Sequence, residues 1–353
     1  MGRPPSRSQC PYPDHAQDRL RRSNPLRGHH DHAEPGAGSP LGVAPELSRA
    51  PVVAMIGMAT VDYLYVLDDY PQADSVTRAL EHQVLVGGAA GRSAIAATRL
   101  GGATRLLAAC GSGVHAQLLM AHLDAEGVEC TWVAYDQPSQ HSAVILARGA
   151  ATRTIIWLPQ PKADARMIEQ LPDFLEGVDV ALLDSTDEAL AAAALDECEK
   201  RGVTTVIDTG SGRPWTRGLL GRVDHVIAPE KYVLKEAGCP AEWAAVELWG
   251  DSCRVVFGVT QGRRGGVFAT GKGPACVERW DAAPVTAVDS CGAGDTFHGA
   301  YAWALAQGLS PAECFATAAW SAGLKVSQLG NTGIPTLDQL ENARRLSRVG
   351  KRL

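Results

Sequence analysis

The stretch Asp289-Ser290-Cys291-Gly292-Ala293-Gly294-Asp295-Thr296-Phe297-His298-Gly299-Ala300 runs directly into Tyr301-Ala302-Trp303-Ala304-Leu305-Ala306. It reads as a loop that becomes a helix. Gly292, Ala293 and Gly294 carry almost no side chain, so their N–H groups can approach an anion. The first turn of the helix adds unpaired donors and the positive end of its dipole. Together these make a phosphate cradle. Asp295 stands at its mouth, placed either to cap the helix or to take the proton from a hydroxyl that attacks phosphorus.

The chain around this loop alternates strands and helices. Short apolar runs read as buried strands at Pro51–Gly57, Arg105–Gly111, Val178–Asp184, Val203–Asp208, Val223–Ile227 and Arg254–Thr260. Helical patterns lie between them at Ala89–Leu100, Gln117–Glu126, Glu188–Arg201 and Glu230–Ala237. The alternating region Val76 to Val86 predicts exposed-face strands, and Ser142–Ala147 with Thr152–Trp157 predicts a β-hairpin. This rhythm implies an α/β fold, a doubly wound and mostly parallel sheet with helices on both faces and ligands at the carboxyl ends of the strands. No repeat of fixed period is present.

Composition narrows the function. With 45% hydrophobic and 20% charged residues and a net charge of -6, the chain reads as a globular protein that does not bind nucleic acid in general and has no apolar run near the ~18 residues that span a bilayer. Its nine cysteines lack ligand spacing and read as reduced thiols of a cytoplasmic protein. Residues 1–50, dense in Pro, Arg, His and Gly, read as a disordered tail without the apolar core of a secretory signal. A domain over 51–345 and a short tail over 346–353 complete the expected organisation.

Two further glycine turns precede or follow the predicted elements: Gly87-Gly88 before a helix, and Thr260-Gln261-Gly262-Arg263-Arg264-Gly265-Gly266 after a strand. Any one of them is ordinary punctuation. In this order, ending in Gly-Ala-Gly-Asp at a helix start, they resemble the PfkB, or ribokinase-like, family of carbohydrate kinases over about residues 52 to 345. Among its members the wording around Asp295 is closest to sulfofructose kinases. The resemblance implies a ribokinase-like fold with a small β-sheet lid from about 61–86 and 141–158. It implies ATP and Mg2+ as cofactors, a monovalent cation in some members, and a homodimer through the lid.

By the same resemblance Asp295 is the catalytic base, and Gly292, Ala293 and Gly294 form the anion hole. Thr260, Gly262 and Gly265 follow the nucleotide loop, with Gly330 in a closing segment near the adenine. Asp62, Gly87 and Gly88 face the acceptor, although Asp62 also fits an ordinary turn. Arg92 stands where the family usually has Asn, and Arg153 lies on the lid hairpin. Both are expected either to meet an acidic group, sulfonate or carboxylate, on a sugar-like acceptor, or to pair with nearby acids. Where many members carry Asn-x-x-Glu for magnesium, this chain has Ala228-Pro229-Glu230-Lys231, leaving Glu230 as the metal candidate. The alternatives are a nucleoside kinase of the same family and a silent nucleotide- or sugar-binding protein. His298 is expected to pack or cap, not to donate a proton.

Overall fold

The computed structural model describes residues 49–149, 152–158, 163–238, 240, 241, 245, 254–271 and 276–348. The expected tails, apart from residues 49, 50 and 346–348, lie outside these residues, as do Cys10, Cys239 and Cys253. Val52–Ile56 (β1) is buried almost throughout, as a central strand covered on both faces must be. Parallel to it on one side run Ala103–Ser112 (β4) and Glu129–Pro138 (β5). On the other run Val180–Asp184 (β8), Thr204–Asp208 (β9), His225–Pro229 (β10) and Val256–Thr260 (β11). Gly266–Ala269 (β12) and Val277–Trp280 (β13) close this edge antiparallel. The parallel strands therefore present Gly57, Asp184, Asp208, Glu230 and Gln261 at or just beyond one common edge.

A second sheet stands apart, with Thr60–Leu67 (β2), Glu81–Gly87 (β3), His141–Ala147 (β6) and Thr152–Trp157 (β7) in the order β3-β2-β6-β7. It is the expected lid. Leu64, Val66, Val144 and Leu146 form its own small core with Cys291 of the glycine loop. This sheet thus packs against the loop read above as the phosphate cradle.

Three helices fix that loop from behind: Ala89–Arg99 (α1), Ala293–Ala306 and Pro311–Val326. The helix Val114–Ala125 (α2) follows β4, Glu188–Arg201 (α3) follows β8 and Glu230–Ala237 (α4) follows β10. Ala293–Ala306 (α5) and Pro311–Val326 (α6) then pack together. Gly299 is what lets α5 lie on α1, since a Cβ there would sit 2.2 Å from Ser93 O. The close approach brings Ser93 Oγ within 2.8 Å of Asp295 O. On the other flank of α5, Phe297 and Tyr301 pack against Phe315 of α6, which stacks 4.2 Å from Trp280. Aromatic burial of this kind anchors α5 between two neighbours.

Some boundaries differ from the sequence reading. Val76–Leu80 is not strand, because β2 pairs with β3 only from Glu81 onward, after the left-handed Asp74. The helix expected from Gln117 starts at Val114, just after Gly113 turns at φ 87°. Strands β2, β5, β12 and β13 were not legible. The last two are four residues each, too short for a periodicity to show.

Candidate active site

Asp62 leaves β2 with its carboxylate turned inward. Oδ1 accepts from Thr60 Oγ1 at 2.9 Å and from Ser142 Oγ at 2.6 Å, Ser142 being its register partner on β6. Gly87 makes room for it: a Cβ there would lie 2.2 Å from Asp62 Cγ. Gly88 turns at φ 80° into α1, where a Cβ would strike Met58 O at 2.4 Å. The glycine pair, expected to face the acceptor, here makes way for Asp62 and the start of α1.

One turn into α1, Arg92 joins the two carboxylates the sequence singled out. Its Nη2 donates to Asp62 Oδ2 at 2.5 Å and its Nη1 to Asp295 Oδ2 at 3.3 Å. Arg92 is 6% exposed, and among the described residues its Nε–H has no hydrogen-bond partner. Asp62, Leu64, Leu85, Arg92, Val144, Cys291, Gly330 and Asn331 converge here with no space for a water molecule. Of the two expectations for Arg92, the ion pair is the one seen, and the pair is buried.

Asp295 lies in the first turn of α5. Burial pushes its carboxyl above the usual aspartate range, against the pull of Arg92, and nearby Asp208 pushes the same way. Asp208 is a neighbour the sequence reading quoted only as a strand end. Its Oδ1 accepts from Gly210 N at 2.7 Å, and Oδ2 lies 3.4 Å from His298 Nδ1. His298 is buried, with Nδ1 2.7 Å from Gly294 O, so it packs as expected. Asp184 ends β8 beneath Gly57 and is pushed up to about 6 by burial, although Met58 N and Thr186 N donate to it. Both aspartates close apolar strand runs, the signal that would have found them.

Beyond the loop from Asp62 lies a cleft of about 680 Å³, a size that suits a nucleotide. Thr260, Gly262 and Gly265 line it together with Ser290, Ala293 and Gly294. Ala282, Ala283, Pro284, Val285 and Ala322 give it an apolar wall of small residues, the part the sequence could not assign. Gly262 and Gly265 turn at φ 59° and 76°, and a Cβ on Gly265 would lie 2.0 Å from Trp280 O. Gly330, expected beside the base, is not in this cleft. It donates its N–H to Asp289 Oδ2 at 3.0 Å, with a conformation (φ 62°) that packs it against Leu85 and Gln83 of the second sheet.

Gly292 to Gly294 therefore stands between this cleft and the packed cluster around Arg92 and Asp62. Gly292 adopts φ 76°, and a Cβ on it would meet Arg92 Cδ at 2.7 Å and Nε at 3.0 Å. Gly292→Ala adds about 1–2 kcal/mol of left-handed strain and pushes Arg92 off its carboxylates. A drop in melting temperature together with a loss of turnover of about 10²-fold is expected, checked by thermal unfolding and initial rates on the same preparation.

Two further charged candidates have partners in the structure. Glu230 accepts from Gln261 Nε2 at 2.9 Å and from Arg264 Nη2, so both carboxylate oxygens are engaged. No cluster of three or more His, Cys, Asp or Glu suited to a metal occurs among the described residues. Arg153 extends from β7 to the glycine loop, donating to Ser290 Oγ at 2.6 Å, and stays exposed. Cys110, Cys130, Cys198, Cys276, Cys291 and Cys314 are free thiols, and no described helix is long and apolar enough to cross a membrane.

Residues 52–337 match the family described as pfkB family carbohydrate kinase. A ribokinase from Arabidopsis thaliana is 26% identical over 355 residues, covering 95% of this chain and 90% of its own length. A 2-dehydro-3-deoxygalactonokinase from Haloferax volcanii is 25% identical over 301 residues, covering 78% and 92%. Among solved structures, ribokinase from Thermotoga maritima superposes with a TM-score of 0.72 at 20% identity, over 84% of this chain and 99% of that one. Arabidopsis ribokinase complexed with ribose and ATP superposes with a TM-score of 0.69 at 22% identity, over 84% and 99%.

Proposed function

The chain belongs to the pfkB family of carbohydrate kinases, and from that premise we propose that it moves the terminal phosphoryl group of ATP to a hydroxyl of a sugar-like acceptor, with Asp295 as the base. The observation that carries this is the position of the Gly292–Gly294 turn. On one side lies the nucleotide-sized cleft, on the other Asp62, and Asp295 stands at the boundary, joined to Asp62 through Arg92. The ribokinase and 2-dehydro-3-deoxygalactonokinase relatives support a sugar-like acceptor.

In the mechanism, Asp62 and Ser142 orient acceptor hydroxyls, and Asp295 accepts the proton of the one that attacks. The N–H groups of Gly294 and Asp295 belong to the first turn of α5, where helix donors have no intrahelical partner, and they face the charge that develops on phosphorus. Thr260, Gly262 and Gly265 hold the donor phosphates, with the apolar wall of the cleft holding the base. Magnesium bound with the nucleotide would neutralise charge between its β- and γ-phosphates. Glu230, already engaged by Gln261 and Arg264, does not fit as its ligand in this arrangement.

Arg92 is neutralised by two carboxylates, so an acidic group on the acceptor falls to Arg153, whose recorded partner is a neutral hydroxyl. The test is ADP release measured across neutral sugars, sulfonated and carboxylated sugars, and nucleosides. Turnover is expected with sugars, the acidic ones favoured, and Arg153→Ala should cost the acidic acceptors about fivefold in kcat/KM, as an exposed charge contact does. Turnover of nucleosides alone would overturn the acceptor reading. Binding of ATP without ADP release from any acceptor would count for a silent binder.

A further inference from the structure

Lys325, near the end of α6, is wholly buried, and no step above uses it. Its Nζ donates to Asp289 Oδ2 at 2.9 Å and to Asp289 O at 3.0 Å. The same carboxylate gathers two more segments, accepting from Cys291 N on Oδ1 at 2.8 Å and from Gly330 N on Oδ2 at 3.0 Å. The main chain follows the side chains: Val288 N and Asp289 N both donate to Val326 O, and a Cβ on Gly333 would lie 2.4 Å from Lys325 O. One ammonium thus stands where the glycine loop, the Gly330–Gly333 turn and the end of α6 meet.

A buried carboxylate needs a paired cation and its full set of donors. Without the ammonium, only Cys291 N and Gly330 N are left to hold Asp289, and its charge faces an anion arriving at the residues just after it. We propose that Lys325 is a positioning residue for the transfer, its fixed ammonium holding Asp289, and through it the Cys291–Gly294 turn, in the shape and charge that receive the phosphoryl group. This rests on reading that turn as the phosphate cradle.

Lys325→Met and Lys325→Ala test it, with melting temperature, kcat and the KM for ATP measured on each. A kcat lower by about 10²-fold with an unchanged KM for ATP is expected, since the loop matters most when charge moves. In Lys325→Ala, methylammonium or propylammonium should restore part of kcat, whereas tetramethylammonium, which has no N–H to donate, should not. The parent enzyme, carrying its own cation, should gain nothing from these salts. A folded variant with the parent kcat overturns the inference, and so does a loss that no amine relieves, because packing alone would then explain the residue.

Should neither variant fold, the parent reads the same charge. Burial holds Lys325 below the ordinary lysine range against the pull of Asp289, with Arg92 acting in the same direction as burial and Cys291 in that of Asp289. Its ammonium therefore loses its proton earlier than a free lysine as pH rises, and kcat should fall reversibly there. A kcat that stays flat through the ordinary lysine range overturns the inference. An inactive Asp295→Asn beside a fully active Lys325→Met sinks this inference alone, whereas a fully active Asp295→Asn sinks the cradle reading and this inference with it.

Discussion

Asp295→Asn is expected to lower kcat by about 10²–10⁴-fold, the effect of removing a positioned general base, while leaving the fold intact. The two halves of that expectation have separate causes. Asparagine is isosteric and its Oδ1 can still accept from Arg92 Nη1, so the bridge between the two carboxylate positions keeps its geometry. Burial already disfavours the charged carboxyl at this site, so a neutral amide relieves a cost instead of adding one. The melting temperature should stay level or rise slightly. The first-turn N–H groups are main chain and survive the change, so ATP should still protect the variant against thermal unfolding. Initial rates beside melting curves with and without ATP decide the matter, and a variant within tenfold of the parent's kcat would remove Asp295 from the role of base.

Much of this site was legible because its chemistry is local. Gly292-Ala293-Gly294-Asp295 carries loop, helix start and carboxylate within four consecutive residues, and the strands that aim at it announce themselves as apolar runs. What was not legible depends on pairings across the chain. Arg92 meets Asp62 and Asp295 at separations of 30 and 203 residues, and no local pattern says that its charge is already spent. Lys325 sits in the last turn of a helix, where a lysine is ordinary, and only folding buries it against a residue 36 positions away. Glu230 stands first in its helix, as a metal ligand or a dipole partner equally would, and Arg264 from the turn after β11 claims it. Gly330 is a similar case: the turn it makes is local, but the surface it joins is set by Asp289. The α/β alternation was legible in the same degree, failing at the four-residue strands β12 and β13, at β2 and β5, which no apolar run marked, and at Val76 to Leu80, an alternating run outside the β2–β3 ladder.

Arg92→Gln should do more than weaken an acceptor contact. In the folded chain Arg92 offsets Asp62 and Asp295 at once, its own side chain and that of Asp62 being 7% exposed. Removing one partner of a buried ion pair leaves the other charge uncompensated, at a cost of about 3–5 kcal/mol, so the melting temperature should fall clearly. The catalytic consequence has a definite sign. Burial raises the Asp295 carboxyl and Arg92 lowers it; without Arg92 the carboxyl rises further, the fraction ionised at neutral pH falls, and the acid limb of kcat/KM moves to higher pH. Activity should then recover in part as pH is raised, a pattern that a simple packing defect does not produce. Arg92→Lys keeps the charge but cannot span both carboxylates with a planar fork, so it should lie between the parent and Arg92→Gln in limb position. A limb that stays put in Arg92→Gln would mean that Asp295 is not the group titrating in catalysis. A shifted limb with unchanged preference among acceptors would instead show that Arg92 serves the base and leaves the choice of acceptor to Arg153.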